Sequence, residues 1–310
     1  MTDVPTRVGA ADALAADYAR DGFVVVPDLL DRTEVGALLA ETAAICRGER
    51  GRIFGMEDVA PVAAGPDDAL MAGVLAVHFP HKRSAPMLET MAHPRIVETL
   101  RVLIGPAVKS MQSMLFVKHA GKPGQPWHQD EHFIPTRDRS LLGCWIALDD
   151  AAVDNGCLWV HPGSHRPGVL YPMAECRDPR FDHNDEAHGF PYDREGGVPV
   201  ELRAGSALFF NGYLLHRSLP NTRTDGFRRA LVYHYMSAQS LLPWSAGPQP
   251  GPRDDYRDIV MVLGDDPYSW KPVEDIARPF VRAESAAMLA RMAERLRAIR
   301  AAKAEAGSPA

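Results

Sequence analysis

Cysteine is scarce in this sequence, with four residues among 310 and none of them in a Cys-x-x-Cys pair. The absence of such a pair argues against a zinc knuckle or a dithiol redox motif and favours reduced cysteines in the cytosol. Long hydrophobic runs are also missing, because no segment approaches the roughly 18 apolar residues of a membrane-spanning helix. Residues Met1 to Pro5 lack the basic start of a secretion signal. We therefore predict a cytoplasmic protein without a membrane partner.

Positive charge is not in excess, since 34 lysines and arginines stand against 40 acidic residues, a net charge of −6. Such a chain lacks the basic surface that binds nucleic acid, so no nucleic-acid partner is predicted. Hydrophobic residues make up 46% of the sequence, which is enough for a folded core. The length predicts a single domain over residues 1–310. The sequence does not indicate an oligomeric state, and a monomer is compatible with it.

The first part of the chain, residues 1–105, is predicted to be mainly helical. One helix ends before Gly22, a second is capped by Asp31 or Thr33, and a third runs from Pro94 to about Ile104. A short β-branched run, Phe23–Val26, predicts a strand between the first two helices.

After Pro106 the pattern changes to short strands separated by turn residues. Many short strands at irregular spacing predict a mainly β fold with flanking helices, built on a jelly-roll core over about residues 106–240. A C-terminal loop and helix are predicted for residues 241–310, with the helix running from Glu284 to about Lys303. Residues 166–197 and 240–275 are predicted as long loops, and long loops inside a compact domain are usually functional lids or disordered segments. The strands are predicted at Met114–Lys118, Leu142–Leu148, Cys157–Val160, Val198–Leu202, Ala207–Phe210, Tyr213–His216 and Ala230–Met236.

The strongest local signal for chemistry is His128-Gln129-Asp130. On a strand, residues two apart face the same side, so His128 and Asp130 can offer a nitrogen and an oxygen to one metal ion. His216, at the end of a distant apolar run, is the predicted third ligand. Two histidines and one carboxylate that leave coordination positions open are typical of non-haem Fe(II) oxygenases. His234, on an apolar strand, is predicted instead to be a core histidine.

A candidate carboxylate-binding residue follows His216. Arg228 enters another strand, and its guanidinium suits the distal carboxylate of a 2-oxo acid that chelates the metal. Ser218 lies two residues after His216 and can add a hydroxyl group. Arg229 is a second candidate for the same role, because the interval between Asn221 and Arg228 leaves the register open.

These motifs resemble the phytanoyl-CoA dioxygenase family of Fe(II)- and 2-oxoglutarate-dependent oxygenases. The resemblance covers roughly residues 15–245. It rests on His128-x-Asp130 and on His216-x-Ser218 followed by Arg228. It also rests on the segments Asp21-Gly22-Phe23-Val24-Val25-Val26-Pro27 and Asn155-Gly156-Cys157-Leu158-Trp159-Val160-x-Pro162-Gly163-Ser164-His165.

The resemblance implies a double-stranded β-helix core, a jelly roll of the cupin kind. It also implies that Fe(II) and 2-oxoglutarate are the cofactors, and that O2 and a small molecule are the substrates. Trp145 matches an aromatic position in the 2-oxoglutarate pocket, and Gln112 or Met114 would lie near the same cofactor. Lys82 is a further candidate contact.

The implied reaction is oxidation of an unactivated C–H bond, with succinate and CO2 as co-products. Hydroxylation, or another oxidation such as desaturation or ring closure, is favoured over halogenation because Asp130 stands where related halogenating enzymes have a small residue. Three alternatives stay open: a non-enzymatic metal- or ligand-binding jelly roll, a zinc hydrolase that uses the same three ligands, and an acyl-CoA hydroxylase of the same family.

The segment from Glu175 to Glu195 predicts the charge of the substrate. It holds seven acidic residues against three arginines. If this loop covers the pocket, its field disfavours polyanions such as coenzyme A thioesters. We therefore expect a small polar metabolite, such as an amine or an aminosugar from secondary metabolism. The alternative is an ordinary solvated loop.

Overall fold

The computed structural model describes residues 7–59, 67–182, 185–243 and 254–283, together with Arg297. The predicted C-terminal helix lies outside these residues, apart from Arg297. Within them, no helix is long and apolar enough to cross a bilayer, and the cytoplasmic location stays a prediction. The helices are α1 (Arg7–Asp21), α2 (Arg32–Cys46), α3 (Asp67–Ala72), α4 (Ala85–Met91), α5 (Pro94–Leu103) and α6 (Asp130–Phe133).

The strands form two main antiparallel sheets and a hairpin. The large sheet has the order β1-β10-β5-β12-β3-β2-β14, with β13 also paired to β3, and the small sheet has the order β4-β11-β6-β9. The hairpin is β7–β8. The strands are β1 (Phe23–Val26), β2 (Val74–His78), β3 (Val108–His119), β4 (Gln125–His128), β5 (Leu142–Ala147), β6 (Leu158–Val160), β7 (Met173–Glu175), β8 (Asp185–Ala187), β9 (Val198–Val200), β10 (Ala207–Asn211), β11 (His216–Ser218), β12 (Phe227–Ser237), β13 (Val260–Leu263) and β14 (Phe280–Ala283).

The large sheet is buried on both faces, which explains its apolar strands. On β5, Cys144 and Ile146 belong to the cluster that contains the buried residues of α2, α4 and α5. Their neighbours Trp145 and Ala147 belong to a second cluster with residues of the small sheet. Successive side chains on a strand point to opposite faces, so helices cover one face and the small sheet covers the other. The predicted jelly roll with flanking helices is confirmed.

The helix α2 begins where the sequence predicts. The side chain of Asp31 accepts hydrogen bonds from the backbone N–H groups of Thr33 and Glu34, at 2.7 and 2.9 Å. The side chain of Glu34 accepts from the Asp31 N–H at 2.7 Å and completes a capping box.

Several predicted boundaries differ from the structure. The strand predicted at Phe23–Val26 is confirmed as β1, but residues 1–105 supply a second strand, β2, that the sequence pattern did not predict. The prediction of a strand over Tyr213–His216 is wrong, since the chain turns after β10 and strand pairing begins only at His216. The segment 166–197 contains the β7–β8 hairpin, and the described part of 240–275 contains β13.

Gly124 allows β4 and β11 to approach closely. A Cβ atom at this position would overlap the carbonyl oxygen of Ser218, whereas a Cβ at Gly36 on α2 would meet nothing within 4 Å. We expect Gly124→Ala to lower the free energy of unfolding by about 1–3 kcal/mol, because rigid backbone must move. Gly36→Ala is the control and should be neutral or stabilising, since alanine favours helix. Urea unfolding measures both, and equal stability of the two variants would contradict this account.

Candidate metal centre and cavity

His128 and His216 meet because β4 and β11 are paired. The two histidines are direct cross-strand partners, and their ring centroids lie 4.1 Å apart. Asp130 is not on the strand with His128, so the same-strand prediction is wrong: β4 ends at His128 and Asp130 begins α6. Gln129 lies at the break, where its side-chain amide donates to the carbonyl oxygens of Val169 and Tyr213. These bonds hold the bend that turns Asp130 toward the histidines.

Backbone contacts orient both imidazoles. Nδ1 of His128 lies 2.8 Å from the Pro126 carbonyl oxygen, and Nδ1 of His216 lies 3.0 Å from the Leu214 carbonyl oxygen. A ring nitrogen that donates to a carbonyl leaves the other nitrogen, Nε2, as a lone-pair donor. These Nε2 atoms lie 3.7 and 3.6 Å from Oδ1 of Asp130. Three ligand atoms therefore converge within 4.8 Å of one another.

His234 holds the other oxygen of Asp130, with Nε2 2.9 Å from Oδ2. The prediction that His234 is a core histidine with a hydrogen-bond partner is confirmed, but the sequence did not show that the partner is Asp130. His234 is buried on β12, and it contacts the carboxylate of the triad. The signal was present in the sequence, because His234 alternates with Val232 and Ala230 on the face that carries Arg228.

The charges at the centre suit a cation. Burial lowers the pKa of His128 to about 4, with a further contribution from His216, so the ring is neutral at physiological pH. Burial alone would raise the pKa of Asp130, but His216, His234 and His128 outweigh it, and the pKa lies below its usual range. Two imidazole nitrogens and one carboxylate oxygen fit Fe(II) in a two-histidine, one-carboxylate site. No other group of three such ligands occurs in the part of the chain that the structure describes.

A cavity of about 250 Å³ opens beside the triad. Trp145, Gln112 and Met114 line it as the resemblance implies, and so do three residues that the sequence did not single out for a site: His78, Arg282 and His234. The other lining residues are Phe116, Gln125, Pro126, Phe133, Ile134, Leu158, Asp185, Phe210 and Val232.

Arg228 and Lys118 lie side by side on the inner face of the large sheet, as register partners on β12 and β3. Arg228 is 3% exposed, and its guanidinium lies 5.3 Å from the Trp145 ring centre. Lys118 donates from Nζ to the Ser218 hydroxyl at 2.9 Å and to the Leu219 carbonyl oxygen at 2.8 Å. Burial lowers the pKa of Arg228 to about 10, and burial followed by the charge of Arg228 lowers that of Lys118.

The sequence missed Lys118, although its alternation with Met114 and Phe116 predicts an inward side chain. The structure also separates the two arginine candidates. Arg229 forms a bidentate ion pair with Asp149, at 2.7 and 2.6 Å, on the opposite side of β12 from Arg228.

Lys82 does not line the cavity, so its assignment as a cofactor contact is not supported. Its ammonium group pairs with Asp258 at 2.5 Å and with Asp275 at 2.6 Å, and it donates to the Ala277 carbonyl oxygen. These three bonds use its three N–H groups in holding the C-terminal segment.

Comparison with known proteins agrees with this geometry. The family model described as phytanoyl-CoA dioxygenase (PhyH) matches residues 18–230. The chain belongs to the phytanoyl-CoA dioxygenase family. The peroxisomal phytanoyl-CoA dioxygenase of Rattus norvegicus is 32% identical over 234 residues, which cover 71% of this chain and 67% of that protein. Phytanoyl-CoA dioxygenase 1 of Oryza sativa subsp. japonica is 37% identical over 142 residues, 45% of this chain and 48% of the rice protein.

Solved structures show the same architecture. The α-ketoglutarate-dependent epimerase SnoN from nogalamycin biosynthesis, in complex with Fe3+, α-ketoglutarate and nogalamycin RO, is 26% identical with a TM-score of 0.60. It aligns over 83% of this chain and 97% of its own. The carbocyclase SnoK from the same biosynthesis is 26% identical with a TM-score of 0.54, covering 74% and 85% of the two chains.

The protein is thus a 2-oxoglutarate-dependent non-haem iron dioxygenase of the phytanoyl-CoA dioxygenase family, with Fe(II) and 2-oxoglutarate as cofactors. Family membership favours this reading over a non-enzymatic jelly roll or a zinc hydrolase. The candidate metal centre and the cavity supply the groups that such an enzyme needs.

His234 should act on metal affinity through Asp130. Replacing His234 with leucine removes the donor to Oδ2, and we expect the Kd for Fe(II) to rise about tenfold to a hundredfold. His234→Gln keeps an N–H donor and should recover part of the affinity. His132→Leu, on an exposed position of α6, is the control. Anaerobic Fe(II) titration measures all variants, and unchanged affinity in His234→Leu would show that this bond has no positioning role.

Proposed function

We propose that this enzyme hydroxylates an unactivated C–H bond of a small-molecule metabolite, releasing succinate and CO2. The observation that carries the proposal is the convergence of His128, Asp130 and His216 at the wall of the cavity. Arg228 does not line this cavity but lies with Lys118 in a smaller pocket that shares Arg282 with it. When bound, Fe(II) supplies the redox chemistry that couples decarboxylation of 2-oxoglutarate by O2 to oxidation of the substrate. The residues of this chain hold the metal, orient both organic substrates and exclude water.

Two buried cations support a binding site for 2-oxoglutarate. Arg228 and Lys118 are both taken from water, and Nε of Arg228 has no hydrogen-bond partner. Burying cations without a counter-ion is costly, and the distal carboxylate of 2-oxoglutarate would supply that counter-ion. We assign Arg228 as the principal contact. Ser218 and Lys118 are assigned as supporting donors, and Trp145, with Gln112 or Met114, as the walls of the site.

The ligand Asp130 supports oxygenation over halogenation, because its carboxylate fills a coordination position. A second outcome is also supported. The similar structures are an epimerase and a carbocyclase, so epimerisation or ring closure at the same C–H bond is the alternative to hydroxylation.

The loop between Glu175 and Glu195 no longer supports a cationic substrate. Its carboxylates are mostly paired with arginines: Glu186 with Arg194 at 2.8 Å, and Glu195 with Arg180 at 2.9 Å. Asp178 likewise pairs with Arg180 at 2.7 Å. These two arginines belong to the loop, but Arg282 and Arg217 from outside it also reach Asp182 at 3.1 Å and Glu195 at 4.0 Å, which weakens the negative field that the sequence predicted. Among the seven acidic residues of this loop, Asp185 lines the cavity beside the triad.

A small metabolite is supported instead by the size of the cavity and by the two similar enzymes of antibiotic biosynthesis. The opposing candidate is an acyl-CoA, because phytanoyl-CoA appears in the names of the relatives.

The metal assignment predicts that His216→Ala abolishes Fe(II)-dependent succinate release, since one of three ligands is lost. The fold should survive, and thermal unfolding followed by circular dichroism checks this. His132→Ala is the matched control and should keep its activity. In the wild type, a panel of free metabolites should stimulate succinate release more than phytanoyl-CoA does. Undiminished turnover in His216→Ala would refute the metal site, and efficient coupled turnover of phytanoyl-CoA would refute the substrate class.

Arg228→Ala should raise the 2-oxoglutarate concentration for half-maximal succinate release by about tenfold to a hundredfold, as expected for losing a charge-assisted pair. Arg229→Ala breaks a different ion pair, with Asp149, and should change stability but not this requirement. If only Arg229→Ala raised the 2-oxoglutarate requirement, Arg229 and not Arg228 would be the residue that binds the cofactor. Steady-state titration of 2-oxoglutarate distinguishes the two outcomes.

A further inference from the structure

Arg282, on the last described strand, β14, lines the cavity. The strand β14 lies beyond residues 18–230, which match the family model, and pairs with β2 at the sheet edge. Arg282 is the register partner of Ala76, and Ala76 is the partner of Phe116. Cross-strand partners share a face. Because Ala76 has only a methyl group, the side chain of Arg282 can extend over it into the cavity, which it lines.

Asp182 orients this guanidinium from one side. Nη2 of Arg282 donates to Oδ2 of Asp182 at 3.1 Å. Asp182 is 2% exposed, and its own backbone N–H is bonded to the Gly124 carbonyl oxygen at 2.8 Å, so the carboxylate is held firmly. A guanidinium carries five N–H donors, and the side chain of Arg282 remains 30% exposed. One edge is therefore anchored while other donors face the cavity.

The wall next to Arg282 also lacks partners. His78, on β2, lies near enough that the charge of Arg282 adds to the burial that lowers the pKa of His78 to about 4. Its Nε2 is buried without a hydrogen-bond partner. The ring is fixed by stacking on Phe280, with centroids 4.2 Å apart. Buried polar atoms of this kind require a ligand or water partner, so this wall is built for a polar group.

We propose that Arg282 binds a carboxylate of the primary substrate, so that the enzyme takes its substrate as a free carboxylic acid. The inference rests on the proposed function, and it divides the arginines between two acids: Arg228 for 2-oxoglutarate and Arg282 for the substrate. A coenzyme A thioester masks the acyl carboxylate and would offer no such group to the donors of Arg282 that Asp182 does not use. The planar fork of arginine suits a carboxylate, because two parallel N–H···O bonds form at once.

Equilibrium dialysis under nitrogen tests this without turnover. The enzyme is loaded with Fe(II) and 2-oxoglutarate and offered free carboxylic acids of increasing chain length, each paired with its methyl ester. The wild type should retain at least one acid about tenfold or more better than its ester. Arg282→Gln should lose that preference, whereas Arg278→Gln, an exposed arginine of the same segment, should keep it. Arg282→Lys keeps a cation beside Asp182 and should retain part of the preference.

Each further result has one meaning. Equal retention of acids and esters by the wild type, retention of no acid, or an unchanged preference in Arg282→Gln overturns the proposal. So does a loss of 2-oxoglutarate from Arg282→Gln, because Arg282 would then serve the cosubstrate. Coenzyme A is tested separately. If its retention depends on Arg282, the guanidinium binds a phosphate group and not a substrate carboxylate. If the wild type itself fails to retain 2-oxoglutarate, the proposed function fails with it.

Discussion

The carboxylate of Asp130 is buried among three histidines, and much of the structure serves to make that burial possible. A charged carboxylate away from water needs cations or donors on both oxygens. Oδ2 meets His234 from the large sheet, while Oδ1 faces the Nε2 atoms of His128 and His216 from the small sheet. The two sheets of the jelly roll are therefore joined at this side chain, and a divalent metal supplies the charge that completes it.

The large sheet also places three cations: Arg282 lines the cavity, and Arg228 and Lys118 share a smaller neighbouring pocket with it. Antiparallel register sets Lys118 beside Arg228 at one end of the inner face, and Arg282 at the edge beyond Ala76. Each cation has a fixed polar neighbour: Ser218 for Lys118, the Trp145 ring for Arg228 and Asp182 for Arg282. A side chain that is already held in place loses little entropy when it binds a ligand, so this arrangement suits the acids that we propose as ligands.

Charge counted along the sequence was a poor guide to the charge that a substrate meets. The segment from Glu175 to Glu195 is acidic by composition, yet in the folded chain two guanidinium groups from outside it reach its carboxylates: Arg282 lies 3.1 Å from Asp182, and Arg217 lies 4.0 Å from Glu195. Arg217 lies on β11, far along the chain from that loop. Only the folded arrangement brings a distant guanidinium to these acids, and composition within a segment does not contain that information.

The sequence by itself determined the fold class, and it predicted the three residues that converge as a candidate metal centre and the arginine, Arg228, that is buried on the inner face. These features depend on local patterns: alternating apolar strands, a His-x-Asp motif, and an arginine that enters a strand on the inward face. Tertiary structure decided the rest. Strand register and contacts between distant segments decide four features: the bend at Gln129, the contact of His234 with Asp130, the ion pair of Lys82 with Asp258, and the position of Arg282 over Ala76. Such contacts follow from how the sheets pack, and no local pattern encodes which side chains they bring together.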